Sequence, residues 1–217
     1  TESGGARLNT SIVFHTTSLP RGGESERVEE LGNAREAAGQ VRHARAVVIH
    51  EDDVNTDAIY AGKWTYQDAM SSDAMARVVF ENLDPALAGR LRTGDVLLAG
   101  ARFGVGSSRE QAATALIAAG VYAVIAESVN STYLRNAINN GLLCLECPGL
   151  AAVLRERPRK TREGGEVALD LERGTLTWRR RVFTLSRPPR FLMELIESGG
   201  IDGWARRLLR AREEMPC

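Results

Sequence analysis

The sequence is poor in cysteine, carries no net charge and lacks any long hydrophobic run. Its 217 residues include three cysteines, too few for a disulfide scaffold, which favours a reducing compartment such as the cytoplasm. Basic and acidic residues number 28 each, and this balance argues against general binding to nucleic acid or to a membrane surface. No apolar run reaches the length that spans a bilayer. Because hydrophobic residues still make up 43% of the chain, the composition predicts a domain with a substantial core.

Two regions differ in composition. Glycine, charged and polar residues dominate residues 1–44, which predicts a linker or flexible N-terminal extension. From residue 45 onward, short apolar runs typical of buried strands alternate with segments of helical spacing. This rhythm predicts a parallel sheet with helices packed against it. The runs assigned to strands of this sheet are 44–50, 96–99, 122–126 and 142–146.

The C-terminal third of the chain predicts a different arrangement. Residues 166–171 and 175–178 alternate polar and apolar side chains, which is typical of a β-hairpin. Two helices are expected after it, at 190–197 and 201–212. The arginines of the second helix could suggest an RNA-binding face, but without an aromatic platform a solvated face or a subunit contact is favoured. We therefore assign residues 45–217 to one α/β domain that ends in a hairpin and helices.

A motif rich in glycine and serine, GARFGVGSSREQ at residues 100–111, lies between a predicted strand and a predicted helix. Gly104 and Gly106 allow backbone conformations closed to other residues and let a ligand approach closely. Backbone amides of the first helical turn would point at that ligand and would favour an anion. Many strand-to-helix turns of this kind have no function, so spacing alone leaves a purely structural role equally open.

The polar residues of the motif indicate which anion would bind. Ser107 with Glu110, or Ser108 with Gln111, has the spacing of a capping box that would begin the helix. Arg109 adds a planar guanidinium whose geometry suits a carboxylate. Two hydroxyls, a guanidinium and free amides together predict a site for a small carboxylic acid.

The motif resembles the signature Gly-x-Gly-Ser-Ser-Arg-Glu-Gln/His-Ala-Ala of the swivel domain of the aconitase superfamily, which includes aconitase, isopropylmalate isomerase and homoaconitase. An earlier stretch, NTD at residues 55–57 followed by IYAGKWTYQ at 59–67, resembles the first conserved loop of the same domain, in the form found in fungal homoaconitases. Without the resemblance, this stretch is a polar loop after a strand, and its carboxylates do not have the spacing of an EF-hand calcium loop. Ala61 and Trp64 depart from the proline and the tyrosine that are usual in the family. The resemblance covers, with gaps, residues 50–150.

The resemblance implies a three-layer swivelling β/β/α fold with a mostly parallel central sheet. It also implies a hydro-lyase reaction, in which a hydroxy acid is dehydrated and rehydrated so that its hydroxyl moves by one carbon. In this family pattern Ser107 is the catalytic base, used as an alkoxide, and Asp57 is an active-site carboxylate. Ser108 and Arg109 hold a substrate carboxylate. Substrate selection is assigned to the loop that follows, with Lys63, Thr65 and Tyr66 as substrate-binding candidates.

The resemblance further implies a [4Fe–4S] cluster whose open iron accepts the leaving hydroxyl as a Lewis acid. The cysteines that bind this cluster in the superfamily lie in other domains. We therefore expect the cluster to come from a large cluster-bearing partner subunit or from covalently linked domains, and the chain to be inactive alone. The expected ligand is a small carboxylic acid, with neither nucleic acid nor membrane as a partner. A fungal source would imply the mitochondrial matrix.

A C-x-x-C motif at Cys144 and Cys147 can be interpreted as metal ligation, as a redox pair or as simple packing. A structural zinc site normally needs a second pair of ligands, and the sequence has none. Cys144 lies in a predicted strand, where it is expected to pack as a small apolar side chain. The motif is therefore not expected to bind the cluster or another metal.

Homoaconitate is the substrate that the resemblance favours first, on GKWTYQ at residues 62–67, on the serine–arginine motif and on the C-terminal helix. Isopropylmalate is second, because bacterial small subunits of that isomerase have this size. Aconitate is third, since no arginine lies between Lys63 and Met75, where aconitases bring one for a third carboxylate. The non-enzymatic alternative is a carboxylate-binding module of the same fold, against which the retained serine base argues.

Overall fold

The computed structural model describes residues 41–65, 70–158 and 161–213. The extension predicted over residues 1–44 therefore lies almost wholly outside the described residues, and so does Tyr66. The first described strand begins at Arg42, so the last residues of that predicted extension belong to the sheet.

Seven strands in the described part of the chain are β1 (Arg42–Ile49), β2 (Val96–Ala99), β3 (Ala123–Ala126), β4 (Leu143–Glu146), β5 (Glu163–Asp170), β6 (Thr175–Trp178) and β7 (Arg181–Thr184). They form one sheet in the order β4-β3-β2-β1-β5-β6-β7. Strands β1 to β4 pair in parallel, whereas β5, β6 and β7 join the sheet in the antiparallel sense. The predicted α/β class with a mostly parallel central sheet is confirmed, and β5 with β6 forms the predicted hairpin.

Short helices connect the strands. They are α1 (Thr56–Ile59), α2 (Gly62–Thr65), α3 (Ser72–Val78), α4 (Gln111–Ala118), α5 (Ser131–Asn139), α6 (Leu150–Arg155), α7 (Arg190–Glu197) and α8 (Ile201–Glu213), with a 3₁₀ turn at Ala88–Arg90. No helix within the described ranges is long and apolar enough to cross a membrane.

The sheet separates two hydrophobic cores. Strands β2 and β3, VLLA and AVIA, are buried along their whole length, as expected of parallel strands that are covered on both faces. One core packs α4 and α5 against the sheet through residues such as Leu116 and Tyr133. The other lies on the opposite face, where α6, α7 and the hairpin contribute Leu154, Ile196 and Trp178. The polar loops that follow β1 and β2 leave the sheet at the carboxyl ends of these neighbouring parallel strands.

Candidate active site

The loops that follow β1 and β2 meet at one edge of the sheet, because the carboxyl ends of neighbouring parallel strands lie side by side. A short parallel bridge joins Asn55 to Val105. The Gly104 N–H donates to the Val54 carbonyl over 2.7 Å, and the Thr56 N–H donates to the Val105 carbonyl over 2.8 Å. These backbone contacts bring the two sequence motifs together although they lie about 50 residues apart in the chain.

Gly104 and Gly106 make this approach possible. Gly104 has φ +79, and a Cβ there would lie 2.2 Å from Cγ of Tyr133, which is fully buried beneath the loop. Gly106 has φ +104, and a Cβ there would lie 3.3 Å from the Thr56 hydroxyl. Both glycines are therefore needed for the left-handed backbone and for the contact between the loops.

Ser107 and Ser108 are both exposed to solvent. Oγ of Ser107 lies 3.2 Å from Oγ1 of Thr56, and the Thr56 residue is only 2% exposed. Asn136 of α5 donates through its side-chain amide to the Ser108 carbonyl over 3.1 Å. The first serine thus presents an accessible hydroxyl that a buried threonine orients, while the second is fixed through its backbone.

The expected capping box does not form. Helix α4 begins at Gln111, its N-cap residue is Glu110 in helical conformation, and no side chain caps it. The predictions that Ser107 pairs with Glu110 or Ser108 with Gln111 are therefore wrong. The loop turns the serine side chains outward instead, which leaves both hydroxyls available to a ligand.

Asp57 and Arg109 form an ion pair across the two loops. Nη1 of Arg109 donates to Oδ1 of Asp57 over 2.8 Å and to the Tyr60 carbonyl over 3.2 Å. The same carboxylate accepts the Gly62 N–H at 2.8 Å and the Asn82 amide at 2.8 Å. The hydrogen bond from Arg109, and then that from Gly62, lowers the pKa of the Asp57 carboxyl below its ordinary 3.8. The carboxylate is therefore anionic at neutral pH.

The remaining edge of Arg109 can still bind a ligand. A guanidinium carries five N–H donors, and the contacts made by Nη1 leave Nε and Nη2 without an acceptor among the described residues. Those two nitrogens form the fork that binds a carboxylate in a bidentate manner. The site thus presents the oriented hydroxyl of Ser107 together with the guanidinium of Arg109, which keeps donors available for a ligand.

Glu81, which follows α3, contacts two side chains of the proposed substrate-selecting loop, Lys63 and Trp64. The Lys63 ammonium forms an ion pair with one Glu81 oxygen, and the Trp64 indole N–H donates to the other over 2.6 Å. Oγ1 of Thr65 is buried and has no hydrogen-bond partner among the described residues. Tyr66 lies outside the described residues, so its place in the site stays a prediction.

Sequence reasoning missed four residues that support the site. Thr56 and Asn82 contact Ser107 and Asp57, Asn136 fixes the serine loop, and Glu81 holds the selecting loop. Thr56 lies inside a motif that was recognised, so its proximity to an active-site carboxylate could have indicated it. The other three act over long sequence separations, and no local pattern marks them.

The two cysteines of the C-x-x-C motif do not fit a cluster or any metal. Both thiols are free and buried. Cys144 points into one core and Cys147 into the other, because positions that differ by an odd number along an extended chain face opposite sides of a sheet. Burial raises the pKa of the Cys147 thiol to about 12 and raises that of Cys144 further. Within the described residues, no group of three histidine, cysteine or acidic side chains could hold a metal ion.

Comparisons with known proteins point in one direction. Residues 49–149 match the family described as the aconitase C-terminal domain. A mitochondrial homoaconitase of Eremothecium gossypii is 42% identical over 180 residues, which covers 75% of this chain and 26% of that protein. A mitochondrial homoaconitase of Candida glabrata is 38% identical over 202 residues, which covers 85% of this chain and 28% of that protein.

A solved structure agrees with the sequence comparisons. The crystal structure of a 3-isopropylmalate dehydratase from Methanocaldococcus jannaschii has a TM-score of 0.67 and 28% identity, and the match covers 80% of this chain and 99% of that one. This chain therefore spans about a quarter of the length of the homoaconitases and matches almost the whole of the dehydratase chain.

Proposed function

Because this chain belongs to the aconitase superfamily, whose C-terminal domain it carries at residues 49–149, we propose that it is the swivel domain or small subunit of a hydro-lyase. The proposed reaction removes water from a hydroxy acid and adds it back, so that the hydroxyl moves to the neighbouring carbon. The observation that carries the proposal is the exposed Ser107 hydroxyl, which lies against Thr56, on two loops that the Asp57–Arg109 pair also joins.

Ser107 is the proposed base. It removes the proton from the carbon next to a substrate carboxylate, and the same hydroxyl returns the proton when water is added back. A serine acts as a base only as its alkoxide, and the neighbouring Thr56 hydroxyl can stabilise that anion by donating a hydrogen bond to it. Thr56, whose hydroxyl lies 3.2 Å from Ser107 Oγ, orients the oxygen that takes the proton.

Arg109 and Ser108 are the proposed carboxylate binders. The Asp57 carboxylate holds Nη1 of Arg109 at 2.8 Å, which fixes the orientation of the guanidinium and of its remaining edge. A bidentate contact of that edge with the substrate carboxylate would align the adjacent carbon with Ser107. Asp57 then serves as the group that orients Arg109 as well as the active-site carboxylate that the family pattern assigns.

Homoaconitate is the first proposed substrate, with isopropylmalate second and aconitate third. The relatives of 42% and 38% identity are named homoaconitases, and the sequence GKWTYQ resembles their selecting loop. Isopropylmalate is second because the dehydratase chain matches over nearly its full length. The Lys63 side chain is 56% exposed, and its cation can meet a remote carboxylate, which homoaconitate has and isopropylmalate lacks.

The complete enzyme needs domains that this chain does not contain. Since the buried cysteines do not fit a cluster, we assign the [4Fe–4S] cluster to a partner subunit or to covalently linked domains. The chain spans about a quarter of the homoaconitases, which leaves room for such domains in the whole protein. Because those relatives are named mitochondrial, the matrix is the proposed location if the source is a fungus.

The test is anaerobic turnover by the chain together with its cluster-bearing domains, followed by the ultraviolet absorbance of the unsaturated acid. Homoaconitate, isopropylmalate and cis-aconitate are compared at equal cluster content. We expect turnover of one acid, and a loss of about 10²–10⁴-fold in Ser107→Ala because the base is removed. Ser186→Ala, at an exposed position outside the two site loops, is the matched control and keeps wild-type rates.

Two results would contradict the proposal. Wild-type enzyme with an intact cluster that converts none of the three acids would remove the hydro-lyase function and favour a carboxylate-binding module. Full activity of Ser107→Ala would leave the reaction standing and remove the assigned base.

A further inference from the structure

Glu81 lies outside every motif in the sequence, yet one carboxylate contacts two side chains of the selecting loop. One oxygen pairs with the Lys63 ammonium and the other accepts the Trp64 indole N–H at 2.6 Å. The ammonium also lies 4.9 Å from the centre of the Trp64 ring. The hydrogen bond from Lys63, and then that from Trp64, lowers the pKa of the Glu81 carboxyl, so it is anionic at neutral pH.

The residue before Glu81 has a strained backbone, which sets the direction in which the chain presents the Glu81 side chain. Phe80 has φ +60, a conformation that is an outlier for a bulky residue. Its side chain is fully buried, and its N–H donates to the Ile59 carbonyl over 2.8 Å. Strained residues persist where the surrounding structure holds them, and they concentrate at functional sites.

The neighbouring residue makes the same kind of contact. The Asn82 side-chain amide donates to Oδ2 of Asp57 at 2.8 Å and to the Asp57 carbonyl at 3.2 Å. Two consecutive residues therefore reach back to the loop that follows β1. Asn82 fixes Asp57, at the start of this loop, and Glu81 fixes Lys63 and Trp64, at its end.

We propose that Glu81 is a specificity-determining positioning residue, which holds Lys63 and Trp64 where they receive the part of the substrate remote from the reacting carbons. The inference rests on the proposed function, because it assigns a role within that site. A lysine on its own has a flexible four-carbon stem and a mobile charge. Held by Glu81 against the indole ring, the same lysine becomes a fixed cation that can discriminate a remote carboxylate from an alkyl group.

Substitution by glutamine tests this role because it keeps the size of the side chain. A glutamine amide is uncharged and replaces one acceptor oxygen by a donor NH₂, so it loses the ion pair with Lys63 and cannot give Lys63 and Trp64 an acceptor oxygen each. In the complete enzyme we expect Glu81→Gln to reduce the preference for the favoured acid over the second acid about tenfold, as the ratio of kcat/KM values. KM for the favoured acid rises more than kcat falls, because the lost contact is remote from the base.

Two further variants control for a general effect of the substitution. Glu172→Gln makes the same chemical change at an exposed position in the turn between β5 and β6, and it keeps the wild-type preference. Glu81→Asp retains both acceptor oxygens on a shorter stem, so it recovers part of the preference that Glu81→Gln loses. A merely structural role of Glu81 would lower the rates with all acids equally and leave the ratio unchanged.

A spectroscopic measurement on the chain itself is independent of turnover. The sequence has three tryptophans, so fluorotryptophan labelling gives three ¹⁹F signals, and Trp64→Phe identifies the signal of Trp64. In Glu81→Gln we expect that signal to shift and broaden while those of Trp178 and Trp204 stay in place. In Glu172→Gln we expect all three tryptophan signals to keep their wild-type positions and widths.

The outcomes separate the two proposals. An unchanged Trp64 signal in Glu81→Gln overturns the positioning role, and an unchanged preference in an active enzyme overturns the role in specificity. Wild-type enzyme that converts none of the acids would count against the proposed function, while the ¹⁹F spectrum would still decide whether Glu81 positions Trp64.

Discussion

At the scale of single residues, the site depends on the ion pair between Asp57 and Arg109, which uses only some of the N–H donors of the guanidinium. The carboxylate occupies Nη1 and leaves the other edge of the guanidinium open. An arginine without this partner would be free to turn its fork in several directions. The pair therefore converts a flexible cation into a carboxylate receptor of fixed orientation.

The pKa of Asp57 gives a direct test of this pair. Because the folded-state pKa lies below the ordinary 3.8, the interaction contributes stability above pH 3.8 and is lost as the pH falls through the folded-state pKa. Its contribution is modest, since the Asp57 side chain is 47% exposed and water screens it. We expect carboxyl-carbon NMR to give a midpoint below 3.8 for Asp57, and Arg109→Gln to raise it. A midpoint at or above 3.8 in the wild-type chain would contradict the ion pair.

At the scale of elements, the turn between β2 and α4 packs against α5 at Gly104. Gly104 has a left-handed backbone and lies against the ring of Tyr133, which also contacts Phe103 edge-on with ring centres 5.4 Å apart. The helix α5 that carries Tyr133 thus supports the loop that bears the proposed base. Any side chain at position 104 must displace that ring.

Gly104→Ala is expected to lower the free energy of unfolding by about 2–5 kcal/mol, from backbone strain together with overpacking. Gly149→Ala separates the two causes. Gly149 also has a left-handed backbone, with φ +89, but nothing lies within 4 Å of its added Cβ. We therefore expect about 1–2 kcal/mol there. Urea unfolding followed by circular dichroism measures the free energy of unfolding of both variants. Equal losses in the two variants would show that the contact of the added Cβ with Tyr133 has no energetic cost.

The elements show which features a single sequence can predict. The strands β1 to β4 were predicted because short, mainly apolar runs bounded by polar turns are typical of buried parallel strands. The prediction of a capping box was wrong, because the same serine spacing also occurs in a loop whose hydroxyls face solvent. The ion pair of Asp57 with Arg109 was not predicted, although both residues had been assigned to one site from their separate motifs. Glu81 could not be predicted, because its partners lie 17 and 18 residues earlier and a strained Phe80 sets its direction.

At the scale of the whole molecule, the sheet keeps its two motif cysteines away from any metal. Cys144 and Cys147 contribute to different cores, on opposite faces of the sheet. Their thiols are protonated at neutral pH, because burial raises the pKa of each. A cluster needs thiolate ligands that converge on one point, and this arrangement provides neither thiolates nor convergence.

The buried cysteines give a prediction for the folded chain. We expect a disulfide reagent at pH 8 to leave Cys144 and Cys147 unmodified in native protein, and to modify both in denaturant. Peptide mass spectrometry locates the modification. Native chain treated with iron and sulfide should also show no cluster absorbance near 400 nm. Rapid labelling of either cysteine, or a stable chromophore on the isolated chain, would contradict the assignment of the cluster to other domains.

The backbone contacts between Val54, Thr56 and the Gly104–Val105 turn have a consequence for protein engineering. The proposed base sits on the loop after β2, whereas the proposed selecting side chains sit on the loop after β1 and are held by Glu81 after α3. The proposed selecting side chains thus depend on a carboxylate that lies outside their own loop. A graft that transfers residues 62–65 into another scaffold must therefore include residues 80–82. Without the Glu81 carboxylate, the side chains of Lys63 and Trp64 would lose the contacts that hold them in place.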